Sequence, residues 1–282
     1  MDKKEIEYII EAPSKFSLNF QELWQYRELF YFFTWKNIKV KYKQTVLGFL
    51  WAIIQPLIMM MIFVIFFSKA LKLPTDNLPA PIFYFSGLLF WNLFSSGLNS
   101  AANSMVANAN VIKKIYFPRL IIPFSGVLVA FFDFLMAFAI FVIMLIFYLL
   151  FTSDFTIGFS IFFYLPLALI ISVLSTLGLG CTVAALNVKY RDFKYIIPFF
   201  IQVSLFATPV IYPVTIFESL PILKYLLAVN PMTGAIILAR NPFVPEPIDW
   251  MVIGISLLFA IIIFIYGIVS FRKMEAYFAD IA

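Results

Sequence analysis

The sequence predicts an all-α integral membrane protein with six transmembrane helices per protomer, an N-terminal amphipathic interface helix and a re-entrant helix pair before the last span. Hydrophobic residues make up 63% of the 282 residues and charged residues only 12%, whereas a soluble domain is about half apolar and about a quarter charged. The apolar residues occur in blocks of roughly 20 residues or more, the length that crosses a bilayer as a helix. The blocks lack the alternation of a barrel strand, so helices are expected.

Six blocks have the length of a span: residues 47–68, 82–107, 120–151, 157–186, 195–211 and 250–271. We therefore divide the chain into a cytoplasmic N-terminal segment with the interface helix (1–46), a six-span transmembrane domain (47–272) and a cytoplasmic C-terminal tail (273–282). Cytoplasmic loops carry the excess of Lys and Arg. With both termini in the cytoplasm, 16 of the 20 basic residues are cytoplasmic, and the four outside are Lys69, Lys72, Lys224 and Arg240.

Residues 20–33 have an amphipathic pattern in which Trp24 and further apolar residues are interspersed with Arg27 and Glu28. The pattern is typical of a helix that lies in the membrane interface, with Trp and Tyr at headgroup depth. The alternative is a short soluble helix packed on a partner protein, and one helix can do both. The first 46 residues do not predict a secretory signal peptide, so membrane insertion is expected to use an internal span.

Seven prolines lie between residues 209 and 247, a density that prevents one continuous spanning helix. The intervening segment is nevertheless apolar. We therefore predict two short helices, near residues 220–228 and 232–239, that dip into the outer leaflet as a re-entrant pair. A seventh and an eighth span are the alternative, but each piece is too short for a hydrocarbon core of about 30 Å.

Several classes of chemistry are excluded by composition. His is absent and Cys181 is the single cysteine, so imidazole catalysis, an intrachain disulfide and a thiolate metal cluster are not expected. No GxxxxGK[ST] phosphate loop, HExxH motif or spaced acidic ligand set is present, so we predict no catalytic residue, no metal site, no bound cofactor and no ATPase activity in this chain. Gly178 and Gly180, inside an apolar span, predict close helix packing. The basic residues form short stretches rather than a long face, which argues against nucleic-acid binding.

Three polar elements remain as candidate sites. The lysine cluster at residues 36–43 attracts anionic lipids; we predict that Lys41 and Lys43 capture the phosphate of a lipid substrate, with topology determination alone as the alternative. The link at residues 108–123 is too apolar for a water-exposed loop, so it predicts docking into a partner groove, or else packing on the membrane surface. The link at residues 187–198 contains Arg191, which we assign to a partner contact, or to a solvated turn.

Asp133 lies about fourteen residues into the third span, and a carboxylate at such a depth is functional by default. Capping of a neighbouring helix or protonation is the alternative. Aromatic residues on the first and fifth spans predict stacking surfaces for sugar rings in a channel, although Phe is also common lipid-facing filler. The aromatic residues assigned to this channel are Trp51, Phe63, Phe199, Phe200, Phe206 and Tyr212.

The chain resembles the type 2 ABC permeases that export polysaccharides and polyol phosphates, such as O-antigen, teichoic acid and capsule. Residues 26–57 match the opening of that family, where Thr45, Leu47, Gly48, Trp51 and Pro56 fit its TxLGxxWxxxxP pattern. The segments 187–198, 207–213 and 230–234 agree in the same order. The similarity extends from about residue 20 to the C-terminus.

The resemblance implies a homodimer in the bacterial inner membrane that carries two separate nucleotide-binding ATPase subunits, with ATP and Mg bound by those partners. The polymer is expected to pass between protomers on an undecaprenyl-type lipid carrier. The resemblance also implies a coupling helix around residues 111–118, seated on the ATPase beside the interface helix, and an outer gate at the re-entrant pair. The coupling residues are Val111, Lys113, Lys114, Tyr116, Phe117, Pro118, Arg119, Trp24, Arg27, Glu28 and Arg191, and the gate residues are Pro213, Pro221, Asn230 and Pro231.

Three other functions stay open on the sequence alone. A related permease for drugs, peptides or lipids has a similar scaffold. A membrane-bound glycosyl or lipid transferase is also aromatic-rich, but such an enzyme normally needs clustered acidic residues, which the loops lack. A purely structural scaffold predicts no ATP-dependent transport in vesicles that contain this chain and its partner.

Overall fold

The computed structural model describes residues 24–43, 47–152, 155–190, 192–244 and 247–275, all of which form helices, turns or loops without a strand. Arg191, Thr45 and residues 20–23 of the predicted interface helix lie outside the described residues. The helices, numbered in chain order, are α1 Arg27–Tyr42, α2 Trp51–Phe63, α3 Ala80–Ala107, α4 Ala109–Ile112, α5 Ile121–Phe151, α6 Ile161–Lys189, α7 Phe193–Phe206, α8 Pro221–Ala228, α9 Pro231–Arg240 and α10 Trp250–Glu275.

Four helical segments are long and apolar enough to cross a membrane: Gly48–Ala70, Ile121–Phe151, Ile161–Lys189 and Trp250–Glu275. The first consists of a short 3-10 turn, α2 and a π-helical turn in succession. A fifth is counted if α8 and the segment Pro231–Phe243, which are bent by 102° at a break, form one span. The six-span count is therefore still a prediction.

The two remaining predicted spans correspond to α3 and α7. Helix α3 has 28 residues, but Asn and Ser side chains in its second half lower its hydropathy. Helix α7 has only 14 residues, about 21 Å at 1.5 Å per residue. It ends at Phe206 rather than at residue 211, because the turn at residues 207–210 contains Pro209.

Helix α3 is the centre of the fold and packs mainly against α5 and α6. Its first half, from Ile82 to Trp91, is buried at every position. There the ring of Phe85 stacks on Phe141 of α5, and the ring of Phe90 packs edge-to-face against Phe134 of α5. The first half of α3 therefore lies in a dense aromatic core, whereas its second half is buried on one face and accessible on the other.

Helices α6 and α10 approach each other at glycines. A Cβ added to Gly178 would lie 2.5 Å from the carbonyl oxygen of Ile263, and one added to Gly267 would overlap the carbonyl group of Gly178. On α6, a Cβ at Gly180 would lie 2.8 Å from the Cβ of Ala101 on α3. The close packing predicted for Gly178 and Gly180 is confirmed, and Gly267 is the partner that makes it possible.

Helix α1 extends further than the predicted interface helix. It continues through the lysine cluster to Tyr42, because Lys has good helix propensity and no Pro or Gly interrupts the segment. Phe33, Ile38 and Tyr42 are buried, and α1 packs on α5. The lysine cluster is therefore the polar side of a docked helix rather than an irregular connector.

Candidate functional site

A polar groove with a volume of about 430 Å³ is enclosed by the end of α1, α2, α3, α5 and α7. Its polar lining comes chiefly from α3 and from the Lys41–Asp133 pair, and its apolar lining comes from α2, α5 and α7. The residues around it include Lys41, Tyr42, Trp51, Gln55, Pro56, Asn92, Ser95, Ser96, Asn99, Asp133, Phe134, Pro198 and Ile201.

The wall on α3 is a stripe of amides and hydroxyls. Asn92, Ser95, Ser96 and Asn99 are spaced by three or four residues, so they share one face of the helix. They are partly or fully accessible, while intervening residues such as Leu93 are buried. Our sequence reasoning missed this stripe, although polar residues at helical spacing inside an apolar block were a readable signal.

The stripe continues along α3 toward α4. The side chain of Asn103 donates to the carbonyl oxygen of Asn99 at 2.9 Å and to its Oδ1 at 3.0 Å. Asn187 of α6 donates to the carbonyl oxygen of Ala102 at 2.9 Å, and Lys36 of α1 donates to Oδ1 of Asn108 at 3.3 Å. Polar side chains therefore recur along α3 from the groove to the loop that carries α4.

An ion pair lies at the edge of the groove. Lys41 Nζ contacts one carboxylate oxygen of Asp133, and the Tyr42 hydroxyl donates to the other. The side chain of Lys41 is 43% exposed and that of Asp133 is 18% exposed. Burial, followed by the hydrogen bond to Asp133, raises the pKa of the Tyr42 phenol, so this phenol is a hydrogen-bond donor at neutral pH. Asp133 thus joins the end of α1 to the third predicted span.

The two lysines predicted to capture phosphate differ in position. Lys41 lines the groove, whereas Lys43 is exposed beyond the end of α1 and is not part of the lining. The structure therefore brings Lys41, and not Lys43, to the polar groove.

The six aromatic residues predicted for a channel also separate into groups. Trp51 lines the groove. Phe199, Phe200 and Phe206 lie on the accessible face of α7, and the hydroxyl of Tyr212 donates to the carbonyl oxygen of Phe206 at 3.2 Å.

Phe63 does not match the role predicted for it. It is only 5% exposed, and the centroid of its ring lies 6.0 Å from that of Tyr84 in the core of the chain. The rotation of α2 about its axis, which packing on α3 sets, turns Trp51 toward the groove and Phe63 away from it.

The predicted coupling segment has a different shape from a helix over residues 111–118. Only one turn, Ala109–Ile112, is helical, and the chain turns after it. Further along, Pro118 disfavours helical backbone at Phe117. Lys113, Lys114 and Tyr116 are exposed, whereas Phe117 and Pro118 are buried and Val111 is half-buried. The exposed residues form the outer surface of this loop, and the buried residues anchor the loop to the rest of the fold.

This segment is packed against α1 and the end of α10. The rings of Phe33 and Phe117 lie 5.6 Å apart, and both belong to a buried cluster that includes Phe271. Arg119 donates through its guanidinium to the carbonyl oxygen of Glu275. These contacts fix the α4 loop, α1 and the end of α10 to one another.

The accessible side of α1 is aromatic and charged. Trp24, Arg27 and Glu28 are exposed, and the Arg27 guanidinium lies 5.8 Å from the centroid of the Trp24 ring. The rings of Tyr31 and Trp35 stack at 6.4 Å one turn further. The predicted coupling residues of α1 are thus available at the surface, on the side opposite to Phe33.

The predicted gate is built around Asn230 and Arg240. Asn230 caps α9, because its Oδ1 accepts from the backbone N–H of Met232 at 3.1 Å while its Nδ2 donates to Oγ1 of Thr208 at 2.7 Å. Pro213 and Pro231 are buried, and Pro221 at the start of α8 is exposed.

Arg240, at the end of α9, is buried and was not recognised as a structural residue in the sequence. Its guanidinium donates to the carbonyl oxygens of Phe83 at 3.2 Å, Pro209 at 2.6 Å and Val210 at 2.8 Å. It also lies 3.6 Å from the centroid of the Phe83 ring. One side chain therefore holds the bent pair, α3 and the turn after α7 together.

No group of three or more Cys, Asp or Glu residues within the described parts of the chain is arranged to hold a metal ion. The groove offers amide, hydroxyl and aromatic groups with one ion pair. Such a surface can bind hydroxylated and phosphorylated molecules by hydrogen bonds and charge, without covalent chemistry.

Comparison with known proteins agrees with this architecture. Residues 28–244 match the family described as ABC-2 type transporter. The chain is 29% identical over 246 residues to the O-antigen export system permease protein RfbA of Klebsiella pneumoniae, which covers 87% of this chain and 92% of that protein. A protein of the same name from Myxococcus xanthus is 29% identical over 215 residues, or 76% of this chain and 79% of that protein.

The polysialic acid transport protein KpsM of Escherichia coli is 22% identical over 247 residues, which span 85% of this chain and 91% of that protein. The resemblance inferred from the sequence motifs is confirmed. Because the family match covers more than half of its length, this chain belongs to the ABC-2 type transporter family.

Proposed function

We propose that this chain is the membrane-spanning permease subunit of an ABC exporter that moves a lipid-linked polysaccharide or polyol phosphate from the cytoplasmic to the outer side of the bacterial inner membrane. Relatives named as permeases for O-antigen export and as a polysialic acid transport protein support this assignment. The observation that carries it is the polar groove, because a hydrated glycan needs hydrogen-bonding groups along a path through an apolar domain.

The chemistry of the groove suits a sugar chain. The amides of Asn92 and Asn99 and the hydroxyls of Ser95 and Ser96 donate to and accept from sugar hydroxyls, and Trp51 supplies a flat apolar face. Each of these contacts is weak, and no charged side chain points from α3 into the groove. Because the contacts are weak and repeated, a polymer can slide along the groove without being held at one position.

A second copy of the chain would complete the path. In the described protomer, α2 and α7 expose large apolar residues, including Ile58 and Met61 on α2 and Phe199 and Val203 on α7. These two helices flank the groove, and a two-fold partner presenting the same face would convert two grooves into one channel. For this reason the proposal includes a homodimer of this chain.

Energy would come from two separate ATPase subunits that bind ATP and Mg. The exposed residues of the α4 loop and of α1 supply their docking surface, and the Arg119–Glu275 contact passes movement of that surface to α10. In this arrangement the α4 loop and both termini are cytoplasmic, α3 and α7 are the remaining two of six spans, and α8 and α9 are the re-entrant pair. Lys41 and Lys43 would attract the phosphate of an undecaprenyl-type carrier at the cytoplasmic surface.

The test is export in a strain that lacks the gene. Deletion is expected to cause accumulation of a lipid-linked glycan inside the cell, and the wild-type gene is expected to reverse it. Ser96→Trp, which fills the groove, should leave the glycan trapped, whereas Gly254→Trp, at a position where an added Cβ meets nothing within 4 Å, should restore export. Restored export with Ser96→Trp at wild-type rate, or no accumulation on deletion, would contradict the proposal.

A further inference from the structure

The ion pair at the groove edge is partly open to solvent on its basic side. Lys41 and Asp133 both line the groove, and the side chain of Lys41 is more than twice as exposed as that of Asp133, so the lysine is the more accessible member of the pair. An ammonium group has three donor hydrogens and no acceptor. Lys41 therefore keeps donor capacity toward an anion that enters the groove.

Asp133 has a second donor that does not depend on Lys41. The Tyr42 hydroxyl donates to the carboxylate oxygen that Lys41 leaves free. Tyr42 is buried and packs its ring on Phe49 at 4.7 Å and on Phe132 at 6.5 Å, so the phenol is fixed in place. If Lys41 turned away, Asp133 would still be held by a charge-assisted hydrogen bond.

We propose that Asp133 is an exchangeable counterion of Lys41, and that the phosphate of a lipid headgroup replaces it when the carrier enters the groove. This inference rests on the proposed function and deepens it, because it names the chemical group that the groove selects and a residue that sets the selectivity. Lys41 remains paired with an anion before and after the exchange.

The exchange has a physical advantage over a free lysine. An unpaired charge at the edge of an apolar domain is costly, and an unoccupied cation would attract the headgroups of bulk anionic lipids. Asp133 competes with those headgroups, so an anion must bind Lys41 better than the carboxylate does. A diphosphate that joins the carrier to a sugar is ionised on both phosphorus atoms, so it meets this condition better than a phosphodiester, which has a single charge, and a neutral lipid does not meet it.

Binding of a defined probe tests the exchange. The purified permease with its ATPase is placed in phosphatidylcholine nanodiscs, and binding of a fluorescent isoprenyl diphosphate that carries one sugar is titrated, with phosphatidylglycerol and inorganic phosphate as competitors. Asp133→Asn removes the competing charge and is expected to tighten probe binding about two- to fivefold. Lys41→Gln is expected to weaken it about tenfold or more, and the double variant should behave as Lys41→Gln does.

Comparison of the competitors identifies which kind of molecule supplies the phosphate. Competition by the unlabelled isoprenyl diphosphate sugar at much lower concentration than by inorganic phosphate or phosphatidylglycerol supports a carrier headgroup. Equal competition by inorganic phosphate overturns the lipid assignment, and equal competition by phosphatidylglycerol overturns the selectivity. Unchanged or weaker binding in Asp133→Asn overturns the exchange itself, because the carboxylate would then support the phosphate or be irrelevant to it.

A second variant covers the case in which Asp133→Asn does not assemble. Tyr42→Phe keeps both charges but removes the hydrogen bond that the phenol donates to Asp133. The carboxylate then depends on Lys41 for its donor, so it competes more strongly and probe binding is expected to weaken about twofold. Tighter binding in Tyr42→Phe would overturn the exchange. The titration measures no transport, whereas glycan accumulation in the deletion strain does, so failure of the exchange and failure of the proposed function are separate results.

Discussion

Lys224 of α8 lies with its Nζ atom 2.6 Å from a carboxylate oxygen of Asp249, the residue that precedes α10. The other carboxylate oxygen of Asp249 accepts the backbone N–H of Met251 at 3.1 Å. One aspartate therefore caps the last helix and fastens the first half of the bent pair to it. The link stands beside a polar cavity that also contains Asp76 and Arg240.

The pH dependence of this link follows from the pKa of Asp249. Burial opposes ionisation, but the hydrogen bond and charge of Lys224, together with the backbone N–H groups of Met251 and Val252, outweigh it and lower the pKa below its ordinary value. The link therefore stabilises the fold at neutral pH, and this stabilisation is lost as the pH falls below about 4.

Asp249→Asn tests this directly, because Asn caps a helix nearly as well as Asp and only the charge is lost. We expect the variant to melt below the wild type at pH 7, and the difference in melting temperature to become smaller as the pH is lowered from 4 to 3, in detergent. A difference in melting temperature that is equal at pH 7 and pH 3 would show that the ion pair contributes nothing.

The α6–α10 contact should tolerate no side chain at Gly178. Gly178→Ala places a Cβ 2.5 Å from the carbonyl oxygen of Ile263, and the backbones must separate, at a cost of about 1 to 3 kcal/mol. Gly254→Ala on α10 is the matched control, since an added Cβ there meets nothing. Thermal unfolding should show a lower midpoint for Gly178→Ala alone, and equal midpoints would refute the close contact.

The sequence was sufficient for features that depend on local composition. The apolar blocks predicted the helices within a few residues, and prolines predicted the two short helices before α10. Gly178 could be assigned to packing because a small residue in an apolar helix permits close approach. Each of these inferences needs only the residue and its neighbours along the chain.

Features that depend on the rotation of a helix about its axis, or on contacts between residues far apart in the sequence, could not be predicted. Asp133 was noted as a charge at depth, but its partner Lys41 is 92 positions away, and the pairing exists because α1 continues to Tyr42 and packs on α5. Trp51 and Phe63 looked equivalent in the sequence, yet helix rotation separates them. Ser96 and Asn99 had a helical spacing, but only the tertiary structure shows that their face opens to a groove.

Arg240 should be essential for the fold rather than only for topology. Arg240→Met keeps much of the volume but leaves the carbonyl groups of Phe83, Pro209 and Val210 without their donor, at a total cost of about 3 kcal/mol or more. We expect a large drop in the unfolding midpoint of the purified protein. Lys69→Met, at an exposed position, is the control, and equal midpoints for the two variants would contradict the anchoring role.

Two adjacent aromatic residues of the α4 loop, Tyr116 and Phe117, allow a role in partner docking to be distinguished from a role in the fold. Phe117 is 4% exposed and Tyr116 is 69% exposed. Substitution by Ala is therefore expected to affect stability at Phe117 but not at Tyr116. Phe117→Ala removes a buried ring and should destabilise the permease by about 3 to 5 kcal/mol, which a lower melting temperature will show. Tyr116→Ala should leave the melting temperature unchanged.

The same Tyr116→Ala variant should lose copurified ATPase and ATP-driven export, because under the proposed function its ring contacts the partner rather than its own chain. An exposed aromatic side chain at the centre of an interface is a common hot spot, and its truncation costs about 2 kcal/mol or more of binding free energy. Full copurification and export in Tyr116→Ala would place the docking surface elsewhere. Loss of both with a lowered melting temperature would instead mean that Tyr116 supports the fold, in conflict with its exposure.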